Sequence, residues 1–143
     1  MNTAEIIQNQ LFGLLFEINA QLRKAIKESP HNVTPMQQKT LGFFYNFPGS
    51  SQQEFVDRLG RDKAQVTRLI KDLEERELLN RVNDPKDNRS YKIHLSKKGV
   101  TVFKQVRKLE NKVFNKLLSG FEPEDLEYIQ KVFSEMRSNL QSS

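Results

Sequence analysis

Apolar residues recur every three or four positions over most of the chain, which is the spacing of amphipathic helices. The first such stretch predicts a long helix that ends before Ser29–Pro30, because proline restricts the conformation of the residue before it. Phe12 and Phe16 widen its apolar stripe beyond what one contact within the chain needs. The stripe itself consists of Ile7, Leu11, Leu14, Leu15, Ile18, Leu22 and Ile26.

Start and stop signals predict three shorter helices next. Thr34–Pro35 offers a hydroxyl cap followed by proline in the first turn, and Pro48–Gly49 ends that helix. Residues 51–54 read Ser-Gln-Gln-Glu, a capping box that opens a short helix ended by a glycine. Asp62 caps the next helix, predicted over 62–78. Its inner face is Val66, Leu69, Ile70 and Leu73, and the two short helices with their tight turn form a helix-turn-helix pattern.

The apolar period then changes to two, which is typical of a strand with one buried face. Tyr91, Ile93 and Leu95 alternate with Ser90, Lys92 and His94. Val82 lies on a preceding strand, and the segment between them is polar and rich in turn residues. This pattern predicts a β-hairpin with a charged tip.

Two helices are predicted after the hairpin. Ser96 caps the first, which a glycine at 120 ends, and Phe121 is spaced to pack on Leu126 at the start of the second. The first helix turns Val100, Phe103, Val106, Leu109, Val113 and Leu117 inward. The second carries a narrow coiled-coil-like seam of Leu126, Ile129, Phe133, Met136 and Leu140.

The predicted fold is therefore mainly α, an α+β winged helix-turn-helix with flanking N- and C-terminal dimerisation helices. The 143 residues suit a single domain. Within it, 33–95 form the winged lobe. The segments 1–32 and 96–143 carry more apolar surface than one chain can cover, so we expect them to pair two chains into a homodimer.

Composition changes this picture in three ways. Lys and Arg outnumber Asp and Glu by 23 to 18, which suits a polyanionic partner, although a plain basic surface gives the same count. The absence of cysteine excludes disulfides and thiolate metal sites. The start of the chain lacks a signal peptide, and no apolar run approaches about 18 residues, so we expect a cytoplasmic protein with no membrane partner.

No group of residues indicates catalysis. His31 and His94 are not brought together by any motif, and a closed zinc site needs more ligands than these two. Ser50–Ser51 lacks the strand–elbow–helix context of a nucleophile. The acids Glu74, Glu75 and Glu77 are better explained as a solvated helix end than as a metal or general-base site. We therefore expect no enzyme activity, no metal and no cofactor.

The polar face of the 62–78 helix is the strongest candidate for binding chemistry. At about 100° per residue, Arg68 points almost directly away from the inner face. Arginine can bond guanine, and glutamine adenine, through two hydrogen bonds, while Thr67 and Lys71 suit phosphates. The predicted DNA-binding residues of this helix are Arg61, Lys63, Ala64, Gln65, Thr67, Arg68 and Lys71. An ordinary solvated face is the alternative.

The hairpin tip adds Lys86, Asp87 and Arg89 to the predicted DNA-binding residues. An arginine on such a tip can enter a narrow minor groove, where the potential is most negative. Asp87 lies two residues before Arg89 and is expected to hold its guanidinium by a charged hydrogen bond. The alternative is a charged turn favoured for solubility, since Asn and Asp prefer turns.

With these motifs, the chain resembles the MarR family of bacterial transcription regulators over nearly its whole length. The stretch from Asp87 and Arg89 to Leu95 and Gly99 matches that family's D-x-R…L-T-x-x-G signature, and GRDKAQVTRLIKDLEERELL resembles its recognition helix. Ser96 replaces the usual threonine and caps equally well. Glu77 replaces a glycine that often ends the recognition helix, which makes a sharp helix end there doubtful.

The resemblance implies a homodimer joined through its first and last helices, which binds pseudo-palindromic double-stranded DNA, usually represses, and is often released by a small-molecule effector. It also implies a ligand cleft between the dimer helices and the DNA lobe, lined here by Phe16, Ala20, Arg23, Phe43 and Phe44. These residues suit a plain core at least as well, because aromatic stripes usually pack together. A winged helix used for protein contact is the alternative function.

Overall fold

The computed structural model describes residues 1–60 and 62–142, and within them the predicted order of elements is confirmed. The fold is mainly α, with one antiparallel hairpin following a helix-turn-helix. The elements are α1 (Thr3–Lys27), α2 (Pro35–Asn46), α3 (Gln52–Leu59), α4 (Lys63–Glu75), β1 (Leu79–Asp84), β2 (Asp87–Leu95), α5 (Lys97–Leu117) and α6 (Pro123–Gln141). In the part of the chain described, none of the helices has the length and hydrophobicity needed to cross a bilayer.

The chain divides into two compact units, Met1–Glu110 and Asn111–Ser143. The first unit holds one hydrophobic core, in which each fully buried large side chain contributes about 1.5–3 kcal/mol relative to exposure. Its buried members are Ile26, Val33, Leu41, Phe44, Phe55, Val66, Ile70, Leu73, Leu78, Leu79, Ile93, Phe103 and Val106. The core thus draws on the end of α1, on α2 to α4, on the hairpin and on the first half of α5.

The predicted helix starts are confirmed by side-chain caps. Thr34 Oγ1 accepts a hydrogen bond from the Gln37 backbone N–H at 3.1 Å, and Gln37 Oε1 accepts from the Thr34 N–H at 2.9 Å, which completes a capping box. Asp62 caps α4 through the Ala64 N–H at 3.0 Å. Ser51 Oγ accepts from the Glu54 N–H at 3.1 Å, but the Glu54 carboxylate accepts from the Ser51 hydroxyl at 3.4 Å instead of reaching back to the backbone. The predicted box at 51–54 is therefore a simple cap.

Helix α4 ends three residues earlier than predicted, at Glu75 instead of residue 78. Glu77 adopts a left-handed conformation with φ of 61°, although it is not glycine. Its N–H donates to the Glu74 carbonyl at 2.9 Å, and the Leu78 N–H donates to the Leu73 carbonyl at 2.9 Å. This pair of bonds is a Schellman motif, in which buried Leu73 and Leu78 supply the accompanying apolar contact. The sharp helix end that seemed doubtful with Glu77 is therefore present.

The hairpin has the predicted faces but not the predicted burial. Arg81 pairs with Ile93 and Asn83 with Tyr91, so these four residues share the face directed at the core. Ile93 is fully buried, whereas Tyr91 lies nearer the tip and is 38% exposed. The Arg81 guanidinium lies 5.0 Å from the centroid of the Tyr91 ring. The expectation that Tyr91 belongs to a buried face is wrong. The backbone carbonyl of Ser50 accepts from the Ile93 N–H at the outer edge of β2, and this bond joins the start of α3 to the wing.

Candidate nucleic-acid interface

Helix α4 presents the polar face predicted from its period. Val66, Ile70 and Leu73 are fully buried and Leu69 is half-buried, which fixes the inner side. The predicted DNA-binding residues that the structure describes on this helix are all exposed, namely Lys63, Ala64, Gln65, Thr67, Arg68 and Lys71. Arg61, which was also predicted to bind DNA, lies outside the described residues. An exposed row with Ala64 beside Arg68 lets a groove approach closely while longer side chains reach base edges.

Thr67 has a different environment from the one predicted. Its hydroxyl donates to the Lys63 carbonyl at 2.9 Å and accepts from Gln52 Nε2 at 2.7 Å. Because the only hydroxyl proton is engaged within the helix, Thr67 has none to offer to a phosphate. Gln52, which follows the cap of α3 and lies 15 positions before Thr67, was not among the predicted residues. No local pattern relates two residues so far apart.

Glu74 forms an ion pair on the same flank of α4. Its carboxylate accepts from Arg81 Nη2 at 2.6 Å and from Arg81 Nε at 3.2 Å. Side-chain exposures of 33% and 27% keep this pair partly solvated, so it contributes at most about 1 kcal/mol. Its effect is mainly geometric, because it joins α4 to β1. Glu74 is thus a partly solvated residue of the helix end, with an ion pair to Arg81 that was not predicted.

The wing tip exposes Lys86, Asp87 and Arg89, as predicted. The Asp87 carboxylate, however, accepts from the Arg89 backbone N–H at 2.9 Å. Asp84 makes the equivalent bond to the Lys86 N–H at 2.9 Å. Within the described residues, no carboxylate lies within ion-pair distance of the Arg89 guanidinium. Asp87 therefore shapes the turn and leaves the Arg89 side chain free, contrary to the expectation that it orients the guanidinium.

The wing and the helix-turn-helix meet at a polar cleft of about 270 Å³. Lys63 at the start of α4, Arg81 on β1 and Arg89 on β2 all line it, together with Ser51 and Gln52 of the α3 start. Among the described residues that line the cleft none is acidic, although Arg81 is paired with Glu74 beside it. The charges of Lys63 and Arg89 give this surface a positive potential that favours a polyanion.

The five residues that the family resemblance assigned to a ligand cleft have different surroundings in the single chain. Phe44 is 1% exposed and belongs to the core, whereas Phe16 is 70% exposed and Ala20 is half-buried. Arg23 lines a hollow of about 470 Å³ beside the α1–α2 junction. Phe43 lines a separate cavity of about 280 Å³.

Gln38 also lines the cavity beside Phe43. Among the described residues, its buried Oε1 has no hydrogen-bond partner. The amide nitrogen donates to the Phe103 carbonyl at 3.1 Å and to Glu110 Oε1 at 3.2 Å, so both neighbours are acceptors and the amide orientation is determined. A buried orphan acceptor usually marks the place of a water or a ligand donor.

The two histidines form no site. His31 and His94 are each half-buried. Over the stretches 1–60 and 62–142, no three His, Cys, Asp or Glu side chains cluster closely enough to hold a metal ion.

Several known proteins are similar to this chain. A family model described as MarR family matches residues 31–90. The uncharacterized HTH-type transcriptional regulator YdgJ of Bacillus subtilis (strain 168) is 26% identical over 100 residues, covering 70% of this chain. The chain spans 61% of the length of that curated relative.

Solved structures share the fold along almost the whole chain. A MarR transcriptional regulator from Methanosarcina mazei Go1 is 26% identical, with a TM-score of 0.82 over 94% of this chain and 96% of its own. Streptococcus pneumoniae FabT in complex with DNA has a TM-score of 0.86 at 17% identity, over 96% of this chain and 97% of its own. A mutant MarR from E. coli complexed with operator DNA has a TM-score of 0.79 at 16% identity, over 95% of this chain and 99% of its own.

Proposed function

We propose that the chain is a DNA-binding transcription regulator of the MarR family that acts as a homodimer on pseudo-palindromic operators, most simply as a repressor. The observation that carries this proposal is the exposed face of α4 beside a wing cleft lined by Lys63, Arg81 and Arg89. In this proposal residues 33–95 form the DNA-binding lobe, and 1–32 and 96–143 form the dimerisation region. Crystal structures of two proteins with this fold in complex with DNA support the proposal.

A winged helix that contacts only protein is the competing function, and salt dependence separates the two. A chain that neutralises DNA phosphates should bind random-sequence duplex with an affinity that falls steeply as salt rises from about 50 to 200 mM, because bound counterions are released. Fluorescence anisotropy with a labelled duplex measures this slope. A protein-contact module should show no salt-dependent duplex binding.

The wing gives a second test, directed at Asp87. Asp87→Ala and Asp87→Asn both remove one negative charge, so they are compared with each other. Asp87→Ala should bind the operator about 2- to 5-fold more weakly than Asp87→Asn, because only asparagine keeps an oxygen acceptor for the Arg89 N–H. Arg89→Ala should weaken operator binding and leave the melting temperature nearly unchanged. Because Asp87 holds the turn and not the guanidinium, the difference between Asp87→Ala and Asp87→Asn should persist in the Arg89→Ala background. Loss of that difference would show instead that Asp87 acts only through Arg89.

The homodimer is proposed from apolar surface that the chain leaves uncovered. On α1 the exposed side chains are Ile6, Ile7, Leu11, Phe12, Leu14, Leu15 and Phe16, and on α6 they are Tyr128, Phe133, Met136 and Leu140. Light scattering at micromolar protein should give twice the 16.7 kDa chain mass. Phe133→Asp combined with Leu140→Asp should cause aggregation or loss of folding. Ser134→Asp is the control for added charge and should leave the mass unchanged, and a well-folded wild-type monomer would contradict the dimer.

Release by a small molecule is part of the proposal. Of the predicted ligand residues, Phe43 lines the cavity that Gln38 also lines. An effector that donates a hydrogen bond there should lower operator affinity, and titration of candidate compounds into the protein–DNA complex measures that loss.

A further inference from the structure

Helix α4 is held by polar contacts along both of its flanks. Thr67 and Glu74 lie on one flank and are bound by Gln52 and Arg81. At about 100° per residue, Asp72 and Arg76 fall on the opposite flank. The outward strip with Ala64, Arg68 and Lys71 runs between the two. Contacts on opposite flanks resist rotation of the helix about its own axis.

One side chain supplies the contacts on the Asp72 flank. Gln37 Nε2 donates to Asp72 Oδ2 at 2.6 Å, and Gln37 Oε1 accepts from Arg76 Nη1 at 3.3 Å. The same Oε1 accepts from the Thr34 N–H at 2.9 Å in the capping box. Gln37 therefore joins the first turn of α2 to the second half of α4, across 35 positions of the chain.

We propose that Gln37 is a positioning residue that sets the rotation of α4 and thereby the sequence discrimination of the protein. This inference rests on the proposed DNA-binding function. Gln37 acts on α4 from outside the helix-turn-helix and needs no contact with DNA itself. Arg68 can form two hydrogen bonds with a base only if its guanidinium approaches the base edge in one orientation. A small rotation of α4 therefore weakens the discrimination between base pairs, whereas contacts with phosphates tolerate the rotation.

Asp72→Asn and Asp72→Ala form a matched pair for the test. Both remove one negative charge and should tighten binding to every duplex alike. Asparagine keeps an oxygen that accepts from Gln37 Nε2, whereas alanine does not. The measurement is the ratio of affinities for a selected operator and a random duplex at one salt concentration. Asp72→Asn should keep the wild-type ratio, and Asp72→Ala should lower it about 5-fold, the equivalent of one net hydrogen bond.

Gln37→Glu separates this contact from the helix cap. Glutamate still accepts from the Thr34 N–H and from Arg76, but it cannot donate to Asp72 and repels it. The affinity ratio should fall as in Asp72→Ala, with unchanged far-UV circular dichroism, and Asp72→Ala in the Gln37→Glu background should cause no further fall.

Two results would overturn the inference in distinguishable ways. Equal affinity ratios for Asp72→Asn, Asp72→Ala and wild type would show that Asp72 acts only through its charge, which overturns the inference and leaves DNA binding intact. Failure of the wild-type chain to bind duplex with any salt dependence would overturn the proposed function, and the inference with it.

Discussion

Replacing Gly99 with alanine should destabilise the protein by at least about 3 kcal/mol. A Cβ at this position would collide with the Leu78 carbonyl oxygen and lie 3.0 Å from its carbonyl carbon. The Leu78 backbone cannot retreat, because its side chain is 1% exposed in the core and its carbonyl accepts from the Ser96 N–H at 3.1 Å. Urea unfolding followed by circular dichroism measures the change as a lower midpoint at constant slope.

Two control variants show that the cost belongs to the collision. Thr101→Ala places alanine at an exposed position of the same helix and should leave stability nearly unchanged. Glu77→Gly alters the residue before Leu78 and should raise stability by about 1 kcal/mol, because glycine adopts the left-handed conformation without steric cost. A Gly99→Ala protein as stable as wild type would mean that α5 can move away from Leu78.

Arg68→Ala should lower operator affinity by roughly 1–3 kcal/mol and relax the base preference at one position of each half-site. Arg68 is exposed at the centre of the outward strip of α4, so its guanidinium is the group best placed to form two bonds with a guanine. Selection of bound duplexes from a random pool, performed with wild type and variant in parallel, reports affinity and preference together.

Lys71→Ala is the control for the loss of one positive charge. Lys71 is exposed on the same strip, and its ammonium suits a phosphate, so all sequences should weaken alike and the salt slope should fall by about one. Arg68→Ala that keeps the wild-type preference would show that the orientation of α4 on DNA differs from the one inferred.

The sequence by itself determined the helices, their starts and the faces they bury. A cap acts within one turn, so Thr34, Ser51 and Asp62 could be recognised from the residues that follow them. Hydrophobic period gave the inner face of α4, since burial repeats with the turn of the helix. The exposed row around Arg68 followed from that face without any tertiary information.

Only the tertiary structure decided the polar contacts that hold this row in place. Gln52 and Thr67 are 15 positions apart and Gln37 and Asp72 are 35 apart, and no period relates such pairs. The left-handed Glu77 depends on Leu78 being anchored in the core, which overrides the ordinary preference for glycine. The Asp87 carboxylate accepts from the backbone N–H of Arg89 and not from its guanidinium, because the turn brings that N–H within 2.9 Å. The spacing of the two residues in the sequence is compatible with either bond.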